Sequence, residues 1–288
     1  MSRGSSSVKR GEDGRPDRGA YGLAVAGLEA EERLLVPAQP DWPTVRIVVD
    51  PRPADAGGTL LEDDVARYPD APGVHVSVDR RAGVAAFRGG DPTSDEIVHP
   101  RLGMLGALYA QWLDGRLAFH AGAFVDGGRA WAVVGERHEG KSTLMAALAQ
   151  AGLPVLGDDT LVVDGDRCLS GARCVDLRPG AAAQLGVADR VVTVRRGARE
   201  RLFLDAPPPD APLAGWLFLN WADEVAVREL ATAERVARVA RRQGWHRRGV
   251  TDPQRLLDFA ALPAWELSRP PDWSLLPRVL DRVRELTR

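Results

Sequence analysis

The residue types that can do chemistry in this 288-residue chain are densest between Gly135 and Thr143. This segment has the spacing G-x-x-x-x-G-K-S of a phosphate-binding loop (P-loop), in which backbone N–H groups and the positive end of the next helix hold phosphate oxygens. We therefore expect Lys141 to reach the β- and γ-phosphates of a nucleotide and the Ser142 hydroxyl to bind Mg2+. The predicted nucleotide-binding residues are Gly135, Glu136, Arg137, His138, Glu139, Gly140, Lys141, Ser142 and Thr143.

Lysine usage supports this interpretation of the loop. Lysine and arginine together number 38, yet only two of these residues, Lys9 and Lys141, are lysines. Lys9 lies in a polar N-terminal tail, whereas Lys141 occupies the motif position that takes a compact ammonium group. Because the planar arginine side chain is not equivalent there, the placement favours a phosphate-binding loop over a chance match in a glycine-rich segment.

Two adjacent carboxylates, Asp158 and Asp159, follow the loop after one predicted helix and one short strand. Carboxylates in this position can bind Mg2+ or accept a proton, although an Asp pair by itself also suits a turn. Their distance from the loop favours the functional interpretation. Arg178 can contact phosphate, and a surface-loop arginine is the equal alternative.

The elements that must position these residues follow from the hydrophobic pattern. An apolar run at residues 130–134 predicts a buried strand before the loop, and residues 143–151 predict a helix after it. A further strand is predicted at 116–125, joined by the turn Asp126-Gly127-Gly128 to the strand that leads into the loop. We therefore expect His120 to lie on the strand that pairs with the loop strand.

The rest of the chain predicts an α/β protein with a small β-rich N-terminal lobe at 19–100 and a P-loop domain at 101–288, after a disordered tail at 1–18. The other predicted strands lie at 45–49, 74–78, 84–87, 153–156, 161–163, 213–219 and 265–267, with more strands and turns at 164–205. The other predicted helices lie at 100–114, at 233–243 with Thr232 as the N-cap, at 251–260 and at 274–286.

Composition limits the classes of partner. A formal net charge of −2 gives no general attraction to nucleic acid or membrane, so neither is expected as a partner. The two cysteines fit neither a disulfide scaffold nor a metal-binding spacing. No apolar run reaches the ~18 residues of a membrane span, and the first residues lack a secretory signal. We expect a cytoplasmic protein.

One predicted helix carries the densest group of basic side chains. Arg235, Arg238, Arg241 and Arg242 share a face of the helix at 233–243, and residues 245–248 extend the basic stretch. This face can bind an acidic peptide or another anion. A solvated helix face in an arginine-rich protein is the equal alternative.

Residues 117 to about 180 resemble the catalytic domain of HPr kinase/phosphorylase, because these motifs follow one another in the same order. They resemble more closely the HPr-kinase-like proteins that modify ribosomally made peptides, including lasso-peptide kinases. The resemblance implies a PEP-carboxykinase-like P-loop fold with a mixed sheet, and transfer of a phosphoryl group from ATP, with Mg2+, to a serine hydroxyl. The matching residues are Phe119-His120-Ala121-Gly122-Ala123, the loop Gly135 to Ser142, Leu153 to Asp159, and Asp176-Leu177-Arg178.

The resemblance also implies a role for each matching residue. Asp158 would be the general base that takes the serine proton, while Asp159 and Ser142 would bind the metal. The division of roles between Asp158 and Asp159 stays open, because adjacent carboxylates can exchange them. His120 would orient or tune the base, and Arg178, with Lys141, would stabilise charge on the phosphates.

The chain departs from the family pattern in two places. Arg137, His138 and Glu139 replace small loop residues, and Glu139 adds negative charge near the expected phosphates. The glycine-rich signature that HPr-specific enzymes carry after the arginine is absent from the sequence, which argues against HPr as substrate and against the phosphorylase reaction.

We therefore expect a serine kinase that acts on a peptide or small protein as a tailoring enzyme. Because members of the resembling family can assemble into rings, a homo-oligomer is an open expectation. The alternatives are a nucleotide-binding regulatory or scaffold protein without transfer activity, and a kinase for a small hydroxylated metabolite.

Overall fold

The computed structural model of the chain is a mixed α/β structure, which confirms the predicted class. In its described part, no helix is both long enough and apolar enough to cross a bilayer. Most of the predicted tail, the basic stretch at 245–248 and the predicted start of the helix at 251 lie outside the described residues. The described residues are 15–52, 58–90, 92–243 and 253–288, without the side chain of residue 196.

An eight-stranded sheet forms the N-terminal part of the described chain. The strands predicted at 45–49, 74–78 and 84–87 are confirmed in it. Arg18 already pairs in the first strand, so the last residue of the predicted disordered tail belongs to the sheet. The strands are β1 (Arg18–Ala20), β2 (Leu23–Ala26), β3 (Val36–Pro37), β4 (Thr44–Asp50), β5 (Leu60–Leu61), β6 (Val65–Ala71), β7 (Val74–Asp79) and β8 (Val84–Arg88), in the spatial order β3-β1-β2-β4-β8-β7-β6-β5.

A helical segment connects this sheet to the rest of the chain. It consists of α1 (Ser94–Glu96), a π-helical turn at Ile97–Arg101 and α2 (Leu102–Trp112), which confirms the helix predicted at 100–114. The predicted apolar face of α2 is buried in one cluster with the eight-stranded sheet and with Val162. The N-terminal sheet therefore shares its core with the part of the chain that carries the phosphate loop.

A nine-stranded mixed sheet and a three-stranded sheet make up the remainder. The larger sheet contains β9 (Arg116–Phe119), β10 (Gly122–Asp126), β11 (Arg129–Val134), β12 (Val155–Gly157), β13 (Leu161–Asp164), β14 (Arg167–Leu169), β18 (Asp210–Trp221), β19 (Ala226–Glu229) and β20 (Ala264–Arg269). The smaller sheet contains β15 (Cys174–Leu177), β16 (Val191–Val194) and β17 (Arg199–Phe203). The helices are α3 (Lys141–Gln150), α4 (Ala181–Gln184), α5 (Thr232–Arg242), α6 (Pro253–Ala261) and α7 (Leu276–Thr287).

Three parallel strands, β11, β18 and β20, lie side by side in the larger sheet. The near-continuous apolar sequences of β11 and β18 suit strands covered on both faces, whereas β20 is only partly buried. Val133, Leu217 and Leu267 are fully buried. The carboxyl ends of neighbouring parallel strands meet at one edge, which is where ligands bind in α/β sheets. The phosphate loop leaves β11 at this edge and enters α3.

The prediction of one continuous strand at 116–125 is wrong. It is divided into β9, which pairs with β13, and β10, which pairs with β11 and β12. The break falls at His120 and Ala121, where the His120 N–H donates to the Arg242 carbonyl at 2.7 Å. His120 therefore lies in a turn beside the loop strand instead of on its paired neighbour, because the chain changes partner strands there.

Three further differences from the predictions concern α5, β19 and α3. Thr232 is the first residue of the helix, and the N-cap is Ala231, whose side chain makes no capping bond. The strand β19 was not predicted from the sequence, since its four residues are mostly exposed and alternate only weakly. The helix after the loop also begins at Lys141, two residues before its predicted start.

Candidate active site

A cleft of about 900 Å3 opens at the carboxyl edge of the three parallel strands. The phosphate loop and the start of α3 form one wall, and the Asp158–Asp159 pair lies deeper in the cleft. The turn from Asp176 into α4 and the segment at 269–273 complete the walls. The structure thus brings together all of the residues with predicted catalytic or metal-binding roles, from His120 to Arg178.

The backbone of the loop is shaped to receive an anion. Gly140, the N-cap of α3, has a φ of 73°, in the left-handed region that favours glycine. The first hydrogen bond of the helix runs from the Leu144 N–H to the Gly140 carbonyl at 2.9 Å. The N–H groups of residues 141–143 precede that bond and have no intrahelical acceptor, so they can donate to phosphate oxygens.

The unusual acidic residues of the loop have partners within the protein. The Glu139 carboxylate accepts a hydrogen bond from the Glu136 backbone N–H, and the Glu136 carboxylate pairs with Arg242. The Arg242 guanidinium lowers the pKa of Glu136, which keeps that carboxylate ionised in its ion pair. The Glu136 N–H stabilises the Glu139 carboxylate in this position, although the negative charge of Glu139 remains in the loop.

Lys141 and Asp159 form the central ion pair of the cleft. Lys141 Nζ lies 2.9 Å from Asp159 Oδ1, and His120 Nδ1 lies 3.6 Å from the same oxygen. Burial acts to raise the pKa of Asp159, but the charges of Lys141 and His120 outweigh it and lower that pKa to about 2. Burial and Lys141 lower the pKa of His120, which favours a neutral imidazole. Asp159 is therefore an anion at neutral pH, and its carboxylate is still 43% exposed.

Asp158 has a different environment from its neighbour. It is only 3% exposed, and its Oδ1 has no hydrogen-bond partner among the described residues. Burial raises the pKa of Asp158 to about 6, against the opposing effects of Lys141 and of a hydrogen bond with Ser142. A buried carboxylate with a free oxygen and a raised pKa is suited to accept a proton near neutral pH.

Arg178 lies at the exposed rim of the cleft. Its Nη2 lies 3.3 Å from His138 Nε2, and the neighbouring guanidinium lowers the pKa of His138. Within the described residues, Arg178 makes no ion pair with a carboxylate. Its charge is therefore available to a ligand in the cleft.

Sequence reasoning missed a buried cluster of charges on the opposite wall. Asp176 accepts from Arg201 at 2.7 and 2.9 Å and pairs with Arg195 at 2.9 Å. The His99 carbonyl accepts from both arginines, and burial lowers the pKa of the His99 imidazole to about 4. These residues come from four separate segments, so their spacing in the sequence carries no signal of the cluster.

Two further cleft residues escaped sequence reasoning. Trp221 ends β18 and Arg269 ends β20, and both contact carbonyls of the phosphate loop. The sequence could have indicated them by their position at the ends of predicted strands. The carboxyl ends of neighbouring parallel strands form the edge where ligands bind.

The basic face of α5 is largely engaged by the protein itself. Arg238 pairs with Glu234 and Glu266, Arg235 pairs with Glu229, and Arg242 pairs with the loop residue Glu136. These contacts favour the structural alternative for this face.

The chemistry of the donor set fits Mg2+. Mg2+ prefers oxygen ligands and is usually held by one or two carboxylates together with phosphates and water. Asp159 offers a partly exposed carboxylate, and the partly buried Ser142 hydroxyl lines the same cleft, where it hydrogen-bonds with Asp158. Over the described ranges, three or more His, Cys, Asp or Glu side chains never gather into a metal-binding group.

Comparisons with known proteins give likenesses among solved structures but no match in sequence. No protein-family model and no curated protein matches the sequence. Among solved structures, the chain is similar to the HPr(Ser) kinase/phosphatase from Coxiella burnetii, with 16% identity and a TM-score of 0.30. The similarity covers 59% of this chain and 96% of that protein.

Proposed function

We propose that this protein is an ATP- and Mg2+-dependent kinase that transfers the γ-phosphoryl group to a serine hydroxyl of a peptide or small protein. The observation that carries the proposal is the environment of Asp158, a buried carboxylate with a free oxygen beside a phosphate loop. The resemblance of the motifs to HPr-kinase-like proteins supports a P-loop fold of that type and a role in tailoring a ribosomally made peptide.

The residues of the cleft divide the work of the transfer. Asp158 takes the proton of the acceptor hydroxyl as that oxygen bonds to the γ-phosphorus and the bond from phosphorus to the β,γ-bridging oxygen breaks, which releases ADP. Lys141 and Arg178 offset the negative charge of the phosphates. Ser142 and Asp159 would hold Mg2+, which supplies further charge neutralisation when it is bound.

The pKa values favour this division over the reverse assignment of the two carboxylates. Asp158, with a pKa of about 6, is ionised at pH 7 and is a stronger base than an ordinary aspartate. Asp159, with a pKa of about 2, is a poor proton acceptor and a stable anionic ligand. His120 lies 3.6 Å from Asp159 and, as a neutral imidazole, can orient that carboxylate.

The proposal extends to the surroundings of the enzyme. The enzyme would act in the cytoplasm on a peptide or small protein, and its near-neutral net charge supports neither nucleic acid nor membrane as partner. The protein would act either alone or as a homo-oligomer, as the ring-forming members of the resembling family do.

Mass spectrometry of a candidate acceptor tests the proposal. The protein is incubated with ATP, Mg2+ and the small peptide encoded beside its gene, and a peptide with every serine replaced by alanine serves as the control. We expect the serine peptide to gain one or more phosphate groups with the wild type and none with Asp158→Asn. Tight ATP binding without any gain would instead favour the regulatory or scaffold function.

A further inference from the structure

The loop between β11 and α3 contacts two residues that end neighbouring strands and line the cleft. Trp221 and Arg269 are the last residues of β18 and β20 and are paired in the parallel register of these strands. The Arg269 guanidinium lies over the Trp221 ring, 4.5 Å from its centroid. We call this stacked pair the Trp221–Arg269 brace.

The brace binds two consecutive carbonyls of the loop. The Trp221 indole N–H donates to the His138 carbonyl at 3.2 Å, and Arg269 Nη2 donates to the Glu139 carbonyl. A carbonyl oxygen that faced a phosphate would repel it, because both are negative. These two carbonyls are already engaged by donors. The N–H groups of residues 141–143 stay available to the anion, whereas those of Glu136 and Glu139 are bonded within the loop.

The loop conformation needs such support. His138 has a φ of 80°, which a side chain larger than glycine rarely adopts, and surrounding contacts must stabilise it. A Cβ added at Gly140 would lie 3.0 Å from Arg269 Nη2 and 3.5 Å from the Trp221 ring. The brace therefore packs directly against the backbone between the bulky loop residues and α3.

Arg269 also carries a charge that no carboxylate of the described residues compensates at ion-pair distance, although the Glu139 carboxylate acts on it from farther away. Its side chain lines the cleft, the residue is 5% exposed, and its Nη1 has no hydrogen-bond partner among the described residues. Burial lowers the pKa of Arg269 to about 10, which is far enough above neutral pH to keep the guanidinium charged. A buried cation without a carboxylate is unfavourable, and a bound polyphosphate would compensate it.

We propose that the Trp221–Arg269 brace holds the phosphate loop in its anion-binding shape and supplies, beside Lys141, a second buried cation for a bound polyphosphate. This inference rests on the proposed function, because it concerns the same cleft. It also explains how the loop keeps a phosphate-binding shape with Arg137, His138 and Glu139 in place of small residues.

Calorimetric titration with inorganic tripolyphosphate tests the second cation. We expect Arg269→Met to weaken binding roughly 10- to 100-fold, in line with the loss of a charged hydrogen bond, and Arg269→Lys to recover part of the affinity. Arg255→Met is the matched control, since Arg255 lies 5.9 Å from the centroid of the Phe259 ring and donates to the Gly165 carbonyl. Unchanged affinity in Arg269→Met would overturn this half of the inference.

Tryptic cleavage after Arg137 in the ligand-free protein, followed by mass spectrometry, tests the loop-holding role. Arg137 is exposed on the loop. We expect Trp221→Phe and Arg269→Met to be cut several-fold faster than the wild type and Arg255→Met. Trp221→Phe keeps the apolar ring and removes only the N–H donor, so it tests the bond without a large packing change.

The two measurements distinguish a failure of the proposed function from a failure of the loop-holding role. A wild-type protein that binds no tripolyphosphate would contradict the proposed function and the second cation together. Equal cleavage rates in the wild type and both brace variants would overturn the loop-holding role, whatever the protein binds.

Discussion

Asp158 and Asp176 are both buried carboxylates on the walls of one cleft, but their surroundings are opposite. Asp176 accepts from Arg201 through both oxygens and also pairs with Arg195. Asp158 keeps one oxygen without a partner in the described chain. Burial raises the pKa of Asp158 to about 6, whereas burial at Asp176 is outweighed by Arg201 and the other nearby charges, so that pKa is lowered.

This difference separates a carboxylate that stabilises the fold from one that can take part in a reaction. A carboxylate whose oxygens are all engaged by arginines joins segments of the fold, because its binding capacity is already used. A buried carboxylate with a free oxygen keeps that capacity for a substrate proton. The next four predictions test whether Asp158 and Asp176 differ in this way.

Asp158→Asn is expected to have the largest effect. Removal of a general base typically lowers turnover by about 10²- to 10⁴-fold, and the isosteric amide should leave ATP affinity nearly unchanged. Initial rates of peptide phosphorylation and a calorimetric ATP titration give both quantities. Asp50→Asn, in the N-terminal sheet, is the control, and turnover retained in Asp158→Asn would show that Asp158 is not the base.

Asp176→Ala should act on stability. Removal of one partner of a buried ion pair leaves the guanidinium groups of Arg201 and Arg195 uncompensated, which costs about 3–5 kcal/mol. Urea unfolding followed by circular dichroism measures the change. Asp50→Ala, which breaks a pair with the largely exposed Arg52, should lose little stability by comparison. A loss at Asp176 as small as that of the control would contradict a structural role.

The pH dependence of stability should differ in sign between the two carboxylates. The pKa of Asp158 is raised from 3.8 to about 6, so its stabilising protonated form is lost as pH rises through this interval. The unfolding free energy of Asp158→Asn should therefore rise relative to that of the wild type by on the order of 2–3 kcal/mol between about pH 4 and pH 7.

The lowered pKa of Asp176 gives the opposite sign, because its contribution is lost only as pH falls through the folded-state pKa. Urea unfolding at several pH values checks both signs. A difference between the wild type and Asp158→Asn that does not vary with pH would contradict the raised pKa.

Arg178→Ala should have the smallest effect and extends the comparison to cations. Arg178 is exposed and, among the described residues, forms its side-chain hydrogen bond with the His138 ring, so its loss should lower turnover about tenfold without a measurable change in unfolding free energy. Arg201→Met should instead destabilise the fold, since Arg201 is 1% exposed and holds Asp176. Similar losses of unfolding free energy in Arg178→Ala and Arg201→Met would contradict the distinction between an arginine that serves a ligand and one that serves the fold.

Local patterns were enough to predict much of the fold and most of the cleft. The strand before the loop, the glycine and lysine spacing, and the adjacent carboxylates are signals between neighbours in sequence, and the structure places these residues around one cleft. The break at His120 could not be predicted in this way. Its cause is a change of partner strand and a bond to the distant Arg242 carbonyl, which depend on tertiary structure.

The charge clusters were equally inaccessible to local patterns. Asp176 and Arg201 meet because they are cross-strand partners in β15 and β17, and Arg195 and the His99 carbonyl join them where the three-stranded sheet lies against the π-helical turn. The Trp221–Arg269 brace forms because β18 and β20 end in register. Single residues at the ends of strands become informative only when the strand order is known.

A calorimetric titration of MgATP into the wild type, Asp158→Asn and Lys141→Ala tests the central claim most directly. We expect the wild type and Asp158→Asn to bind with similar affinity, because Asp158 acts on the acceptor proton. Lys141→Ala should bind about 10- to 100-fold more weakly, since it loses a charged contact to the phosphates. No binding by the wild type, or equal binding by Lys141→Ala, would contradict the assignment of this cleft as a nucleotide site.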